Sequence, residues 1–439
     1  MEKFDVIVVG GGPAGYPCAI RCSQNGYKSA LIEKADLGGC CLNKGCIPTK
    51  CLFEIAHQFS PPFCDGVHKQ VDYDWMKINN WIKTSVVARL RTGVGFLLKQ
   101  NGVSVYSGTA IVKEPGVVEI SGNTLTAKRI VLATGSKVAV PSKFAGDPRL
   151  ITSDTIWDIE NLPESCAVIG AGPIGCEFAS ILSSLGVRVK LFEMMPQILP
   201  GKDTEIVRTL EKLLTQKGIE LHAGSKIDTL DVIEAEKILW ATGRTPNTDS
   251  FAELGLKMEG SAVKTDETLA TSVDGVYAIG DVNGKWQLAY VGTREAEILA
   301  DRFAGRTVVM DYSNIPEAIF TIPEVGVCGM TEEAAKQSGR SVKTAKFPYQ
   351  ALGKAHATGS TSGFIKIVAD ASSNEILGVH IIGGPATEMV SAISIIIQNG
   401  LTADEALRAM YCHPTFSEAI MEALLELEGR PVHVPPKKK

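Results

Sequence analysis

Several things are missing from this chain, and each absence removes a class of function. No apolar run in its 439 residues reaches the ~18 needed to span a bilayer, so no membrane association is expected. The opening "MEKFDVIVVGGG" is too short in apolar length for a secretory signal and breaks straight into glycines, so it reads as a strand. A basic excess is also lacking: the net charge is −5, which gives no reason to expect a nucleic-acid partner. Eleven cysteines, an odd number without a secretory signal, predict a reducing, cytoplasmic setting where most thiols stay free. The cysteine-rich stretch 38–50, "GGCCLNKGCIPTK", has neither C-x-x-C knuckles nor added histidines, so no metal is expected there. What remains is an ordinary globular composition, 45% hydrophobic and 21% charged, in a chain long enough for two or three domains.

Glycine, by contrast, is abundant at 43 residues and falls in clusters. In "FDVIVVGGGPAGYPCAIRCSQNGYKSALIEK", Gly10, Gly12 and Gly15 form G-x-G-x-x-G between a strand and a helix, and Glu33 closes the next strand 23 residues after the first glycine. Glycines there let the backbone approach a pyrophosphate at a helix N-terminus, and the carboxylate can hold ribose hydroxyls. The same pattern recurs with Gly170, Gly172, Gly175 and Glu193, so two dinucleotides are expected, placed for electron transfer between them. Glu193 is followed by Met194, Met195 and Pro196, with no arginine for a 2′-phosphate, which favours NAD over NADP. Two similar strand endings follow, "IVLATGSK" with Thr134 and Gly135 and "ILWATGRTPN" with Gly243. In "VYAIGDVNG", Asp281 stands after Gly280 in a turn where it either caps the next helix or contacts a nucleotide.

Cys41 and Cys46 are spaced C-x4-C and can close a small disulfide ring. Pro48 suits a first helical turn, which puts Cys46 near a helix N-terminus where a thiolate is favoured. Lys50 adds a positive charge one turn along. Cys40 cannot share the 41–46 geometry and reads as a small filler or an auxiliary thiol. The other cysteines (18, 22, 51, 64, 166, 176, 328 and 412) read as small buried hydrophobes. Near the C-terminus, "MYCHPTFSEAIMEALLELEGR" fits a Thr415/Glu418 capping box opening a helix with an apolar face at Ile420, Ala423, Leu424 and Leu427. Glu418 either caps only or orients His413. The helix in "EMVSAISIIIQNG" is apolar on more than one face, as at an interface.

Together, "GGCCLNKGCIPTK" and the H-P-T-x-S-E string resemble the class I pyridine nucleotide–disulfide oxidoreductases, and within them the dihydrolipoyl dehydrogenases, over nearly the whole chain. The resemblance implies FAD at the first glycine turn and NAD at the second. It implies electron flow from dihydrolipoamide through a Cys41–Cys46 disulfide and flavin to NAD+. By it, Cys41 is the interchange thiol, Cys46 stacks on flavin, Lys50 lies beside flavin N5 and pairs with Glu177, and Asp281 holds the ribityl chain near Ala289. His413, oriented by Glu418, is implied to be the acid–base acting across an obligate homodimer. The implied partner is the lipoyl-bearing protein of a 2-oxo acid dehydrogenase or glycine cleavage complex. The fold expected is α/β, with two Rossmann-like dinucleotide-binding domains and a C-terminal α+β dimerisation domain. The FAD-binding domain is expected at 1–150 and 246–312, the NAD-binding domain at 151–245, and the dimerisation domain at 313–439.

The chain departs from that pattern in places. Tyr411 and Tyr290 stand where histidines are usual, and only seven residues, "DTLDVIE", occupy the place of a meander hairpin, so a trimmed NAD domain is expected. The terminal "PPKKK" reads as a disordered tail. Rival readings are reduction of another disulfide or of mercuric ion, and an electron-carrier or assembly flavoprotein. Glutathione-type reductases usually carry lysine at the Thr49 position and arginines after the second acid, and mercuric reductases end in a cysteine pair; all are missing here.

Overall fold

The computed structural model describes residues 2–59 and 72–435. Its first sheet has seven strands. Ser104–Ser107, Ser29–Glu33, Glu2–Val9 and Asn123–Leu132 lie side by side in parallel, and Val276–Ala278 adds to the last of these. An antiparallel pair, Val117–Ile120 and Ala110–Glu114, extends the sheet beyond Asn123–Leu132. Val6, Ile7 and Val8 are fully buried because a central parallel strand is covered on both faces. Burying each such side chain contributes roughly 1.5–3 kcal/mol. The helix Gly15–Gln24 buries Gly15, Cys18, Ala19 and Cys22, a stripe of small residues that lets it lie close to the sheet and to the helix Ala289–Phe303.

The second sheet is parallel throughout, in the order Glu220–Ala223, Arg188–Glu193, Ser165–Ile169, Lys237–Trp240, Leu150–Thr152. As expected from the short "DTLDVIE" segment, no strand lies in 224–236. In its place Leu230 and Ile233 tuck in beside Phe144 and Trp240. Their carbonyls accept hydrogen bonds from Arg149 at 3.0 and 2.8 Å, and Arg149 is itself held by Asp147.

The third sheet is antiparallel: Glu317–Ile319, Val325–Gly329, Ile376–Ile382, Phe364–Asp370, Val342–Pro348. Every residue of its strands Phe364–Asp370 and Ile376–Ile382 is buried, because the helices Ala386–Gln398 and Glu418–Leu427 cover one face and Thr204–Gln216 packs from the second sheet's unit. Lys366, 4% exposed, meets Asp203, Glu205 and Glu332 at 2.9 Å each and fastens that packing. Removing one partner of such a buried cluster costs on the order of 3–5 kcal/mol. Ile395 on Ala386–Gln398 is 63% exposed, so this helix does present a second apolar face outward in the single chain.

Two expectations are corrected. Thr415 forms no capping box: its hydroxyl donates to the Cys412 carbonyl, and the helix starts at Glu418 without a side-chain cap. Cys412 is exposed rather than buried, and Cys51 is only half-buried. Cys64 and the tail residues 436–439 lie outside the described residues. Among the described residues no helix is long and apolar enough to cross a membrane.

Candidate active site

Both glycine turns are built the same way. Each strand preceding a turn ends in register with the neighbour that carries an "ATG" ending, Val9 beside Leu132 and Ile169 beside Trp240. Gly10, at φ +108°, lies against the Ala133 carbonyl, which a Cβ would approach to 2.2 Å; Gly170, at φ +99°, lies against Ala241, with 2.6 Å to its carbonyl. Gly15 and Gly175 sit on the carbonyls of Gly10 and Gly170, where a Cβ would stand at 1.7 and 1.8 Å. These positions admit glycine alone, and the packing brings each helix N-terminus to its strand end. Gly12 and Gly172 have no such backbone clash and leave the turn open toward the cavity.

The two acids match as well. Glu33 accepts the Gly11 and Ala35 amides at 2.6 and 2.8 Å, and Glu193 accepts those of Ala171 and Met195 at 2.7 and 2.9 Å. Each carboxylate is thus fixed and turned toward its turn. A single cavity of about 1600 Å³ joins both sites, far larger than the ~300–1000 Å³ of one small-molecule pocket. The glycine cradles, fixed acids and shared cavity fit two dinucleotides.

Cys41, Cys46 and Lys50 line this cavity between the turns. Cys41 lies in the short helix Gly39–Asn43, and Cys46 is the first residue of Cys46–Gln58. The loop between them is held by Asn43, which donates to the Gly39 carbonyl, and by Trp157, which donates to that of Lys44 at 2.8 Å. The Cys41 thiol donates to Cys46. That hydrogen bond, helped by the Lys50 charge against the opposing effect of burial, brings Cys46 down to about 7. Cys41 is pushed well up by the same bond and by burial. Lys50 is held by Glu177 at 2.8 Å and lies 4.3 Å above the Phe320 ring, while the second Glu177 oxygen accepts the Phe320 amide.

Asp281, Gly280 and Ala289 border the same cavity, with Ala289 opening a helix there. Thr134 and Gly135 face them; Thr134 is fastened to Asn247 by a reciprocal pair of bonds at 2.6 and 3.1 Å. Gly135 and Gly243 both take positive φ, and the strands after them, Ser136–Val138 and Arg244–Pro246, pair with each other. The two "ATG" endings therefore mark the place where the chain crosses between nucleotide units.

His413 and Glu418 are brought together, Nδ1 to Oε1 at 2.8 Å, and Glu418 also accepts the Thr415 amide at 2.8 Å. Burial would push the Glu418 carboxyl up, but these bonds hold it below its usual value. The His413 side chain is 76% exposed and does not line the cavity of its own chain.

Sequence reasoning missed three features. Glu295, 1% exposed, grips the Asp281 turn through the Gly280 amide and the Asn283 side chain at 2.6 and 2.9 Å. Its one signal was a charged residue on the otherwise small and apolar inward face of its helix. Arg244 sits in a buried polar network beside Cys40. His433 repeats the His413 arrangement, with its Nδ1 2.7 Å from Glu422, one helical turn after Glu418.

Comparison with known proteins agrees with this geometry. Residues 4–296 match the pyridine nucleotide–disulphide oxidoreductase family, and residues 315–424 match its dimerisation domain, which supports a homodimer. The chain is 36% identical to a dihydrolipoyl dehydrogenase of Chlamydia muridarum over 100% of both chains. It is 35% identical to one of Bacillus subtilis over 98% of this chain and 99% of that one. A solved structure of the HOCl-induced flavoprotein disulfide reductase RclA from Escherichia coli, as a Cu(II) complex, superposes with a TM-score of 0.88. It shares 25% identity and covers 97% of this chain and 99% of that one.

Proposed function

The chain belongs to the pyridine nucleotide–disulphide oxidoreductase family, with FAD and NAD as its cofactors, and on that premise we propose that it oxidises protein-bound dihydrolipoamide with NAD+. The observation that carries this reading is the Cys41–Cys46 pair in the cavity shared by two nucleotide turns, beside a partly buried Lys50–Glu177 ion pair. We assign FAD to Gly10, Gly12, Gly15 and Glu33, with Asp281 and Ala289 toward its flavin end. NAD is assigned to Gly170, Gly172, Gly175 and Glu193, whose charge opposes a 2′-phosphate. The domain bounds at 150, 245 and 312 are our assignment too.

In this mechanism a substrate thiolate attacks Cys41 of the disulfide and releases Cys46 as a thiolate, which Lys50 and the helix N-terminus stabilise. The second substrate thiol then displaces Cys41, so the substrate leaves as a cyclic disulfide and two electrons stay on the protein pair. The partner subunit's His413, held by its own Glu418, takes the substrate proton at Nε2. Bound FAD supplies the two-electron link between the reduced pair and NAD+. The physiological carrier is taken to be the lipoyl-bearing protein of a 2-oxo acid dehydrogenase or glycine cleavage complex, as for chains bearing this signature.

A second reading, reduction of another disulfide, is favoured by the likeness to RclA. An assay of NADH-dependent lipoamide reduction, and of the reverse reaction, against other disulfides separates the two. Turnover of another disulfide with none of lipoamide would sink the first reading. The shared site has its own test: dead variants Cys41→Ser and His413→Ala, co-refolded, should regain about a quarter of wild-type activity. Half the dimers are then mixed, and one of the two sites in each is intact. No recovery would place both groups within one chain.

A further inference from the structure

Arg244 stands where four segments meet, and its side chain is only 11% exposed. Nε donates to the Ser136 hydroxyl at 2.8 Å, and Nη2 donates to the Ser136 carbonyl at 2.9 Å and to the Cys40 sulfur at 3.5 Å. Nη1 meets Asp154 at 3.1 Å. Cys40 donates to that same Asp154 oxygen at 3.5 Å, and the Ser136 hydroxyl donates to Asp281. One guanidinium therefore ties the disulfide loop, the start of the second nucleotide unit, the end of an "ATG" strand and the Asp281 turn.

We propose that Arg244 is a positioning residue for the flavin site, aiming Asp281 through the Ser136 hydroxyl. A hydroxyl has one proton to give and can rotate it to any acceptor nearby. With the Arg244 Nε–H filling its acceptor side, the Ser136 proton is directed at the Asp281 carboxylate. The positive charge of Arg244 also acts on two carboxylates, Asp154 and Asp281. Asp281 is then held from both ends, its backbone turn by Glu295 and its carboxylate by Ser136. Planar, multidentate recognition of this kind suits arginine and not lysine. Cys40 finds its place in the same network: burial pushes its thiol up to about 12, so it stays a protonated donor to Asp154 and accepts from Arg244.

This inference rests on flavin binding and not on the lipoyl substrate, so the two can fail separately. The test is the equilibrium affinity of flavin-free protein for FAD, read by flavin fluorescence, for Ser136→Ala, Arg244→Met and the double variant. Each single variant should bind FAD about tenfold more weakly. The double variant should be no weaker than Arg244→Met, because a chain of contacts broken at either link loses the same bond. Ser136→Ala should leave the thermal midpoint of the flavin-free protein unchanged, while the bound flavin's absorption maxima shift. Losses that multiply to about a hundredfold would overturn the relay, as would Ser136→Ala binding FAD like wild type. A loss of affinity matched by an equal loss of flavin-free stability would overturn it as well. Should Arg244→Met fail to fold, Ser136→Ala alone decides.

Discussion

The two nucleotide units share their centre and differ at their edges. Around the glycine turns they are nearly superimposable in contact detail, from the Cβ approaches of 1.7 and 1.8 Å at Gly15 and Gly175 to the two amides on each acid. At the edges, the first carries the antiparallel pair 110–114 and 117–120, while the second has only a buried plug at Leu230 and Ile233 stapled by Arg149. The binding turn is therefore a local device, set by a strand, a helix N-terminus and the "ATG" carbonyl it leans on. The meander position is free to shrink so long as the sheet below stays covered.

The largest expected effect uses that shared centre to set the units apart. Gly15→Val and Gly175→Val each drive side-chain atoms into a backbone carbonyl, and overpacking of this kind cannot be relieved by a rotamer. Gly15→Val should be purified without flavin and inactive. Gly175→Val should stay yellow and be reduced by dihydrolipoamide, yet lose NAD-linked turnover by roughly a hundredfold or more, about 2.7 kcal/mol. If both variants lost flavin together, the units would not be independent.

That pair of turns is also what the sequence made plain, because strand, glycine spacing and closing acid all lie within a short window. The Cys41, Cys46 and Lys50 cluster was legible for the same reason. Arg244 was not: its sulfur partner Cys40 is 204 residues away, and nothing local in "ATGRTPN" points to it. Glu295 shares its helix with four other charged residues, and its charge is placed only by the turn it grips. The capping box at Thr415 failed through competition, since the Cys412 carbonyl offered the hydroxyl a nearer partner at 2.7 Å. Antiparallel order in the third sheet likewise depends on long-range pairing that periodicity does not fix.

Next in size is coenzyme choice. Glu193→Gln removes the charge that opposes a 2′-phosphate and keeps one of the two amide contacts, since the carboxamide nitrogen cannot accept the other. The ratio of kcat/KM for NADPH over NADH should rise by about tenfold, worth ~1.4 kcal/mol. Glu33→Gln has no such phosphate to admit and should leave that ratio alone. A wild-type preference for NADPH would contradict the reading of Glu193.

The edge difference predicts a smaller, local change. Arg149→Ala frees the carbonyls of Leu230 and Ile233, at about 1 kcal/mol for each hydrogen bond lost. Limited proteolysis should then cut within 224–236, with flavin retained and the first unit's hairpin at 110–120 uncut. Cleavage appearing at both edges together would mean that the plug does not act as a local staple.

The smallest effect sharpens a chemical difference: Cys46, beside the first unit's turn, is a thiol brought down to about 7. An ordinary thiol titrates near 8.5, so the reduced protein should form the Cys46 thiolate about a unit and a half earlier. Because the folded value is depressed, the anion is present above pH 7 and lost as the pH falls through it. A long-wavelength absorbance band between thiolate and flavin should follow that titration in the two-electron-reduced protein. Lys50→Met removes a positive charge that favours the anion, so the midpoint should move upward, with the band weaker at neutral pH and recovered in mild alkali. Cys46→Ser should have no band at any pH, while Cys41→Ser should show it without reduction, since its partner can no longer form the disulfide. A wild-type midpoint at the ordinary thiol value, or a downward move in Lys50→Met, would remove the electrostatic role given to Lys50.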